Sequence, residues 1–374
     1  MTYSKKNKLK NIICALLLFI ISINSINAQN IEKRFETIID SIYNLNRDGI
    51  GFIVHIEAPD RENSWSYAVG HKAKNSTEAL DKNQPVLTAS NTKTYVSAAI
   101  LKLIEKGDFT LDDSIEKLIT KKAKKALKFN GYGVDQITVR NLLSHTSGIT
   151  DYVDDSYFNF VDNNPDYNWT KSKQIKLAMK KTNDSTQLGK HSYGDINYLL
   201  LADIIEKASN KSFYTAIREN LNLEENGLDA TWFQGLEKLP KGILDFPTQY
   251  TDMFSNNSTN INPSWDLFGG GGLASTAKDL AVFFQLLYNG NIIKDKSLLS
   301  EMTTQVDKSN NYCLGVFNIP SFFGTNVFYH GGFWGTDVVY IPELNTSIAI
   351  FTLVKEKRNV NISMNIELIK ALKK

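Results

Sequence analysis

The chain has 374 residues, of which 42% are hydrophobic and 22% charged, and its 42 basic and 40 acidic side chains leave a formal charge of +2. Those proportions belong to a globular protein with a substantial apolar core and exclude a disordered, collagen-like or low-complexity chain. So even a balance also argues against a nucleic-acid partner, which calls for a clear basic excess.

In chain order, residues 1–28 carry Lys5, Lys6, Lys8 and Lys10, an apolar run from Ile12 to Ile23, and the small polar close Ile26-Asn27-Ala28. This is the three-part pattern of a secretory signal peptide, and the run is shorter than the ~20 residues that a spanning helix needs. The expectation is cleavage after Ala28 and export to the periplasm or the exterior, with no stable membrane anchor afterwards. The leader holds four lysines and no acid, so the mature chain carries a formal −2. Cys14 lies ahead of most of the run, whereas a lipid-attachment cysteine would follow it. Only Cys313 remains after cleavage, so no intramolecular disulfide can form. Its setting, Tyr312-Cys313-Leu314-Gly315-Val316, reads as a buried strand in which a free cysteine acts as a small apolar residue.

Residues 31–45 have helical apolar spacing, and residues 51–58 and 64–69 read as two strands joined by a polar turn. Residues 91–106 place Val96, Ile100, Leu103 and Ile104 on one side of an amphipathic helix. Between residues 108 and 250 the pattern is helical, with segments at 111–127, 138–143, 172–179, 196–208 and 212–221, and without a strand signal. The lysines at 117, 121, 122, 124, 125 and 128 read as a solvated helix face, and residues 151–169 as a long surface loop. A helix at 276–287, strands at 312–319, 327–330, 337–341 and 347–353, and a helix at 360–372 complete the chain. Strands at both ends with helices between them imply an α/β lobe (residues 29–107 and 251–374) around one mainly antiparallel sheet. An all-α lobe (residues 108–250) is inserted in it.

The chemistry-bearing residues narrow by elimination. None of the five histidines has the spacing of a zinc site, so no metal or other cofactor is expected; Gly-x-Ser-x-Gly is absent, and Gly269 to Gly272 lack the Lys-Ser/Thr of a phosphate loop. Ser-x-x-Lys remains. It sets a hydroxyl and an amine one helical turn apart, and an amine stripped of water would lose proton affinity and could take the serine proton. It occurs three times, at Ser90 with Lys93, Ser114 with Lys117 and Ser275 with Lys278. Ser114 follows two aspartates on a polar face and Ser275 precedes a capping box, whereas Ser90 stands at a strand-to-helix junction. A cation at Lys93 opposes the dipole of the first helical turn, although Lys278 shares that oddity.

Four ordered segments decide between them. Leu87-Thr88-Ala89-Ser90-Asn91-Thr92-Lys93-Thr94, then residues 137–149 with Ser144-His145-Thr146-Ser147-Gly148, then residues 271–280, then Tyr329-His330-Gly331-Gly332, resemble the serine β-lactamase and penicillin-binding-protein-like hydrolases. That superfamily includes class C β-lactamases, D,D-carboxypeptidases and esterases, and the resemblance spans residues 50–353. It implies a β-lactamase-like fold and an acyl-enzyme formed on Ser90, with Lys93 and Tyr193 sharing the proton transfer. It further implies an oxyanion hole from the backbone N–H groups of Ser90 and Phe333, and a substrate wall of His330, Gly331, Gly332, Asp195 and Trp334. The substrate would be an amide or ester: a D-amino-acid cell-wall peptide, a β-lactam or a carboxylic ester. His145 reads as structural.

The chain departs from the family pattern in three places. Asp195 stands where an asparagine is usual, and a carboxylate accepts from Lys93 but cannot donate to a substrate carbonyl. His330 replaces a lysine, and the bulky Phe333-Trp334 pair follows Gly332, as if to line the acyl pocket. These departures also admit a non-catalytic envelope protein that binds peptidoglycan or a partner through a decayed site.

Overall fold

The computed structural model describes residues 30–374, so the leader read at residues 1–28 lies outside the described residues. After helix α1 (residues 30–45) come β1 (Gly51–Ala58) and β2 (Asn63–Gly70), an antiparallel hairpin in register from Gly51 opposite Gly70 to Ala58 opposite Asn63. A two-residue strand β3 (Val86–Leu87) leads into α2 (Thr92–Glu105), followed by α3 (Lys121–Phe129), α4 (Val139–Leu143), α5 (Asp155–Asn163), α6 (Lys171–Ala178), α7 (Asp195–Ser209) and α8 (Phe213–Asn220). Strands β4 (Thr231–Phe233) and β5 (Leu273–Ser275), helices α9 (Ala277–Tyr288) and α10 (Lys296–Met302), strands β6 (Phe317–Phe322), β7 (Thr325–Gly332), β8 (Thr336–Ile341) and β9 (Thr346–Thr352), and helix α11 (Arg358–Leu372) complete the order.

The main sheet runs β2-β1-β9-β8-β7-β6, antiparallel throughout, and pairs the first strand of the chain with the last. Both faces are covered. Phe52, Val54, Ile56, Ile348 and Ile350 pack with Phe35, Ile39, Met364 and Leu368 of α1 and α11, while Ile53, Ala349 and Phe351 join the larger core that includes Phe283 of α9. This follows from the two-residue alternation of a strand with an apolar partner on each side. A small sheet, β3-β5-β4, lies beside it.

Five local readings differ from the structure, the first being that Cys313, read in a strand over residues 312–319, is buried in irregular chain ahead of β6. Helix α2 is buried from Thr92 through Leu101 rather than amphipathic, because α7 and α8 pack against it and Phe283 of α9 stacks on its Tyr95. The stretch 111–127 is not one helix. A 3₁₀ turn at Ile115–Lys117 precedes α3, which starts afresh because the Thr120 hydroxyl accepts from Ala123 N at 3.3 Å and Asp203 accepts from Thr120 N at 2.7 Å. Residues 151–169 hold α5, capped by Asp154 and anchored by buried Tyr157 and Trp169, where a surface loop was expected. The strand β4 falls between residues 108 and 250 and is too short to show a periodicity.

Candidate active site

Strand β3 ends in a single 3₁₀ turn, Ala89–Asn91, from which α2 departs. Ala89 has φ +47°, a left-handed conformation that costs an alanine roughly 1–2 kcal/mol. The turn is held there from several sides. Thr88 N and Oγ1 both donate to Leu273 O at 2.9 Å, Thr92 Oγ1 donates to Ala89 O at 2.7 Å, and Asn91 Nδ2 donates to Thr88 O at 3.0 Å and to Thr336 Oγ1 at 2.8 Å. The result presents Ser90, half-buried, at the start of a rigid helix.

One turn on, Lys93 is fully buried and its ammonium donates to Ser90 Oγ at 3.0 Å, Asp195 Oδ1 at 2.5 Å and Gly270 O at 2.6 Å. Those are all three of its protons. Burial pulls its proton affinity down, but the Asp195 carboxylate and Tyr193 more than compensate, and the amine is raised above its ordinary value. The expectation that desolvation would neutralise Lys93 is therefore reversed, and the departure at Asp195 is the cause. Neither rival motif resembles this: Ser114 caps the 3₁₀ turn after it by accepting from Glu116 N at 3.1 Å, and Ser275 lies buried in β5, bonded to Thr231 Oγ1 at 2.8 Å.

Tyr193 stands over Lys93, whose nitrogen is 5.0 Å from its ring centre. The ring is 42% exposed at the mouth, while the hydroxyl end is enclosed and interacts with Ser90 and Lys93. Burial raises the phenol and prevails over the opposing pull of Lys93. The chain just before Tyr193 has no regular structure of its own and is held by the segment 144–149. Gly189 N donates to Thr146 O at 2.8 Å and Ser192 N to His145 O at 2.9 Å; Ser147 Oγ donates to Asn197 Oδ1 at 2.5 Å. His145 is buried with its ring 4.2 Å from that of Tyr193, and its Nδ1 accepts from Gly194 N at 3.3 Å. Gly148, at φ +70°, must be glycine, because a Cβ there would come 2.8 Å from Leu188 N.

Two aspartates that sequence reading passed over adjoin this centre. Asp151 accepts from Asp195 N and Ile196 N, each at 3.0 Å, at the N-terminus of α7. Asp266 lies against Gly271, where any side chain would collide with its carboxylate, and a Cβ at Gly270 would come 2.9 Å from Asp195 Cγ. Burial first, and the charge of Asp195 second, push Asp151 up to about 7 and Asp266 up to about 8. Asp151 follows Gly148-Ile149-Thr150 directly, and Asp266 shortly precedes the glycine run, but nothing in their spacing marks them as partners of Lys93.

The opposite wall is β7. Gly332 passes so close to the Ser90 turn that a Cβ would strike Thr88 O, and Gly331 leaves room for the Arg358 guanidinium. Arg358 donates to Asp337 Oδ1 at 3.0 Å and to the Tyr329 hydroxyl. His330 is 1% exposed, with Nδ1 3.1 Å from Gly331 O and Nε2 3.4 Å from the Tyr312 hydroxyl. Burial, aided by the charge of Lys93, pushes it down to about 3. It is thus a neutral ring behind the wall, whereas the resemblance placed it on the wall, facing a substrate carboxylate or carbonyl. Trp334 is likewise 1% exposed, packed on Trp265 and Phe254 in the core rather than lining an acyl pocket. Phe333 alone is half-buried, stacked on Phe158. Among the described residues no group of acids, histidines and cysteines is arranged to hold a metal ion.

The beta-lactamase family model matches residues 56–366, most of the chain. The chain belongs to the beta-lactamase family. Two bacterial proteins are similar in sequence. An "N-acetylmuramyl-L-alanine amidase" of Bacillus subtilis (strain 168) is 24% identical over 71% of this chain and 66% of its own length. A "putative D-alanyl-D-alanine carboxypeptidase" of Escherichia coli O157:H7 is 26% identical over 71% of this chain and 68% of its own. The chain thus spans about two thirds of the length of these relatives. The D-amino acid amidase of Ochrobactrum anthropi SV3, solved with L-phenylalanine amide, has the same fold, with a TM-score of 0.76 at 18% identity over 92% of this chain and 99% of that one. The beta-lactamase-like fold is an antiparallel sheet with flanking helices, and in this chain it brings Ser90, Lys93, Tyr193 and Asp195 together.

Proposed function

We propose that the protein is a serine hydrolase that forms an acyl-enzyme on Ser90 in a cleft between an α/β lobe (residues 29–107 and 251–374) and a helical lobe (residues 108–250). The observation that carries this is the hydrogen bond from the buried Lys93 ammonium to Ser90 Oγ at 3.0 Å, with the Tyr193 hydroxyl beside both. Because Lys93 is held charged, it cannot accept a proton without releasing one. The Ser90 proton passes to Lys93 Nζ as one Lys93 proton passes to Asp195 Oδ1, 2.5 Å away, so that Asp195 is the terminal acceptor. The Tyr193 phenol, neutral at rest, donates to the leaving group and takes a proton from water in deacylation, while Asp195 returns its proton through Lys93 to the departing Ser90 Oγ. Backbone N–H groups of Ser90 and Phe333 receive the developing oxyanion.

The charge arrangement favours uncharged acyl donors. Lys93 is committed to Asp195, Arg358 to Asp337, and His330 is neutral, so neither these cations nor His330 offers a free charge to a substrate carboxylate. Amides and esters, including D-amino-acid amides, are therefore the proposed substrates, ahead of β-lactams and peptides with a free carboxyl end. The leader pattern at residues 1–28 supports action outside the inner membrane, on small molecules or cell-wall peptides.

Intact mass after a fluorophosphonate probe tests the reading. The native protein should gain one adduct and Ser90→Ala none; no adduct on the native protein, or an equal one on the variant, refutes it. The locked Lys93–Asp195 pair favours a second reading, a non-catalytic envelope protein. Probe-resistant protein that still retains peptidoglycan fragments would establish that alternative.

A further inference from the structure

Helices α3 and α6 lie side by side and leave between them an open groove of about 880 Å³. Ala126, Phe129, Ile175 and Met179 supply its apolar lining, and Phe129, the last residue of α3, is 92% exposed. Scattered apolar side chains on a surface are ordinary, but this one continues a groove. The rim is cationic. The acids beside it are already paired, Asp203 and Glu206 with Lys171, and Glu116 with Lys128, while Lys122 bonds Ser172 and Lys173 bonds Asn168 O. Of the lysines that line the groove, Lys125, Lys176 and Lys180 form no salt bridge among the described residues, and all three are exposed. Three unpaired like charges around an apolar groove repel one another, and they are not inherited from a basic chain, whose formal charge is only +2.

We propose that this face docks onto the surface of an anionic phospholipid bilayer, with the free lysines on the headgroups and Phe129 seated at the acyl boundary. The pairing of chemistries selects the occupant. A soluble polyanion would satisfy the lysines but leave Phe129 and Met179 in water, whereas an anionic lipid surface meets both. No helix among the described residues is long and apolar enough to cross a membrane, so the contact is peripheral. The proposal does not depend on the catalytic reading.

Partitioning of the full chain onto vesicles of equal parts phosphatidylglycerol and phosphatidylcholine, against phosphatidylcholine alone, tests it. The same chain length is used throughout, so any contribution of residues 1–28 cancels when native and variants are compared on the same vesicles. The native protein should prefer the anionic vesicles, with binding that weakens as salt is added. Replacing Lys125, Lys176 and Lys180 together by glutamine should weaken partitioning by about a hundredfold, on about fivefold for each charge. Phe129→Ser should weaken it about tenfold. Hydrogen exchange should show residues 121–129 and 171–180 protected on anionic vesicles, and the thermal midpoints of both variants should match that of the native protein, which confirms their fold. Equal binding to both vesicle types, absence of that protection, triple-variant binding equal to native, or full binding by Phe129→Ser would each overturn the proposal; the last would leave a merely electrostatic patch.

Discussion

At the scale of single residues, the exchange of a carboxamide for a carboxylate at Asp195 sets the proton state of the centre. A neutral amide at that position would accept from Lys93 without holding a positive charge on it, and burial would then dominate and lower the amine. With Asp195 present the balance tips the other way. Asp195→Asn is therefore expected to lower ester turnover near pH 7 by about a hundredfold, the size of a lost proton acceptor. Part of the loss should return as pH rises, because Lys93, released from the carboxylate, then sheds its proton to solvent and serves as the base. A kcat/KM profile from pH 6 to pH 10 on a nitrophenyl ester reads this, and a profile identical to native would remove Asp195 from the proton path. The identity of residue 195 is plain in the sequence, but its effect on Lys93 is not, because the two are brought to 2.5 Å from positions 102 residues apart.

At the scale of elements, the segment Ser144 to Ile149 shows how a motif can act at one remove. None of its side chains bonds to Ser90 or Lys93; it holds the chain from Leu188 to Gly194 that presents Tyr193. Gly148→Ala would press on the Leu188 backbone and force a positive φ on an alanine. It should cost about 1–2 kcal/mol in denaturant unfolding and depress kcat more than KM, through displacement of Tyr193. Native kcat in a destabilised variant would show that the segment serves folding alone. Most helices and strands were legible from apolar period, since each of them turns at least one face to a core. Besides the short strand β4, the exceptions include the break at Thr120, created by a cap that Asp203 reinforces from α7, and helix α5, whose polar and aromatic sequence is secured by Tyr157 and Trp169 packing on each other and on Phe158 and Phe160.

At the scale of the whole molecule, the acidic groups around Lys93 make stability depend on pH. Asp151 and Asp266 titrate near neutrality in the folded protein, against about 3.9 in an unfolded chain. A raised acid favours the fold while protonated: that contribution is complete below about pH 4 and is lost as pH rises through about 7 to 8. Thermal midpoints at constant ionic strength should therefore fall from pH 5 to pH 8, and Asp266→Asn should flatten the upper part of that fall. An unchanged slope in the variant would mean that Asp266 is not buried beside Asp195.

From the order of residues alone came a two-ended sheet, a run of helices between its halves, the serine and lysine one turn apart, and a resemblance strong enough to name Tyr193. The first three are consequences of local period and local spacing, which a chain carries wherever it folds; Tyr193 was named by the resemblance alone. Tertiary structure decided what burial and long-range approach determine: that Lys93 stays charged, that His330 and Trp334 face inward, and that Asp151 and Asp266 adjoin Asp195. Electrostatics in a site sums over distance in space, and sequence separation carries no measure of that distance.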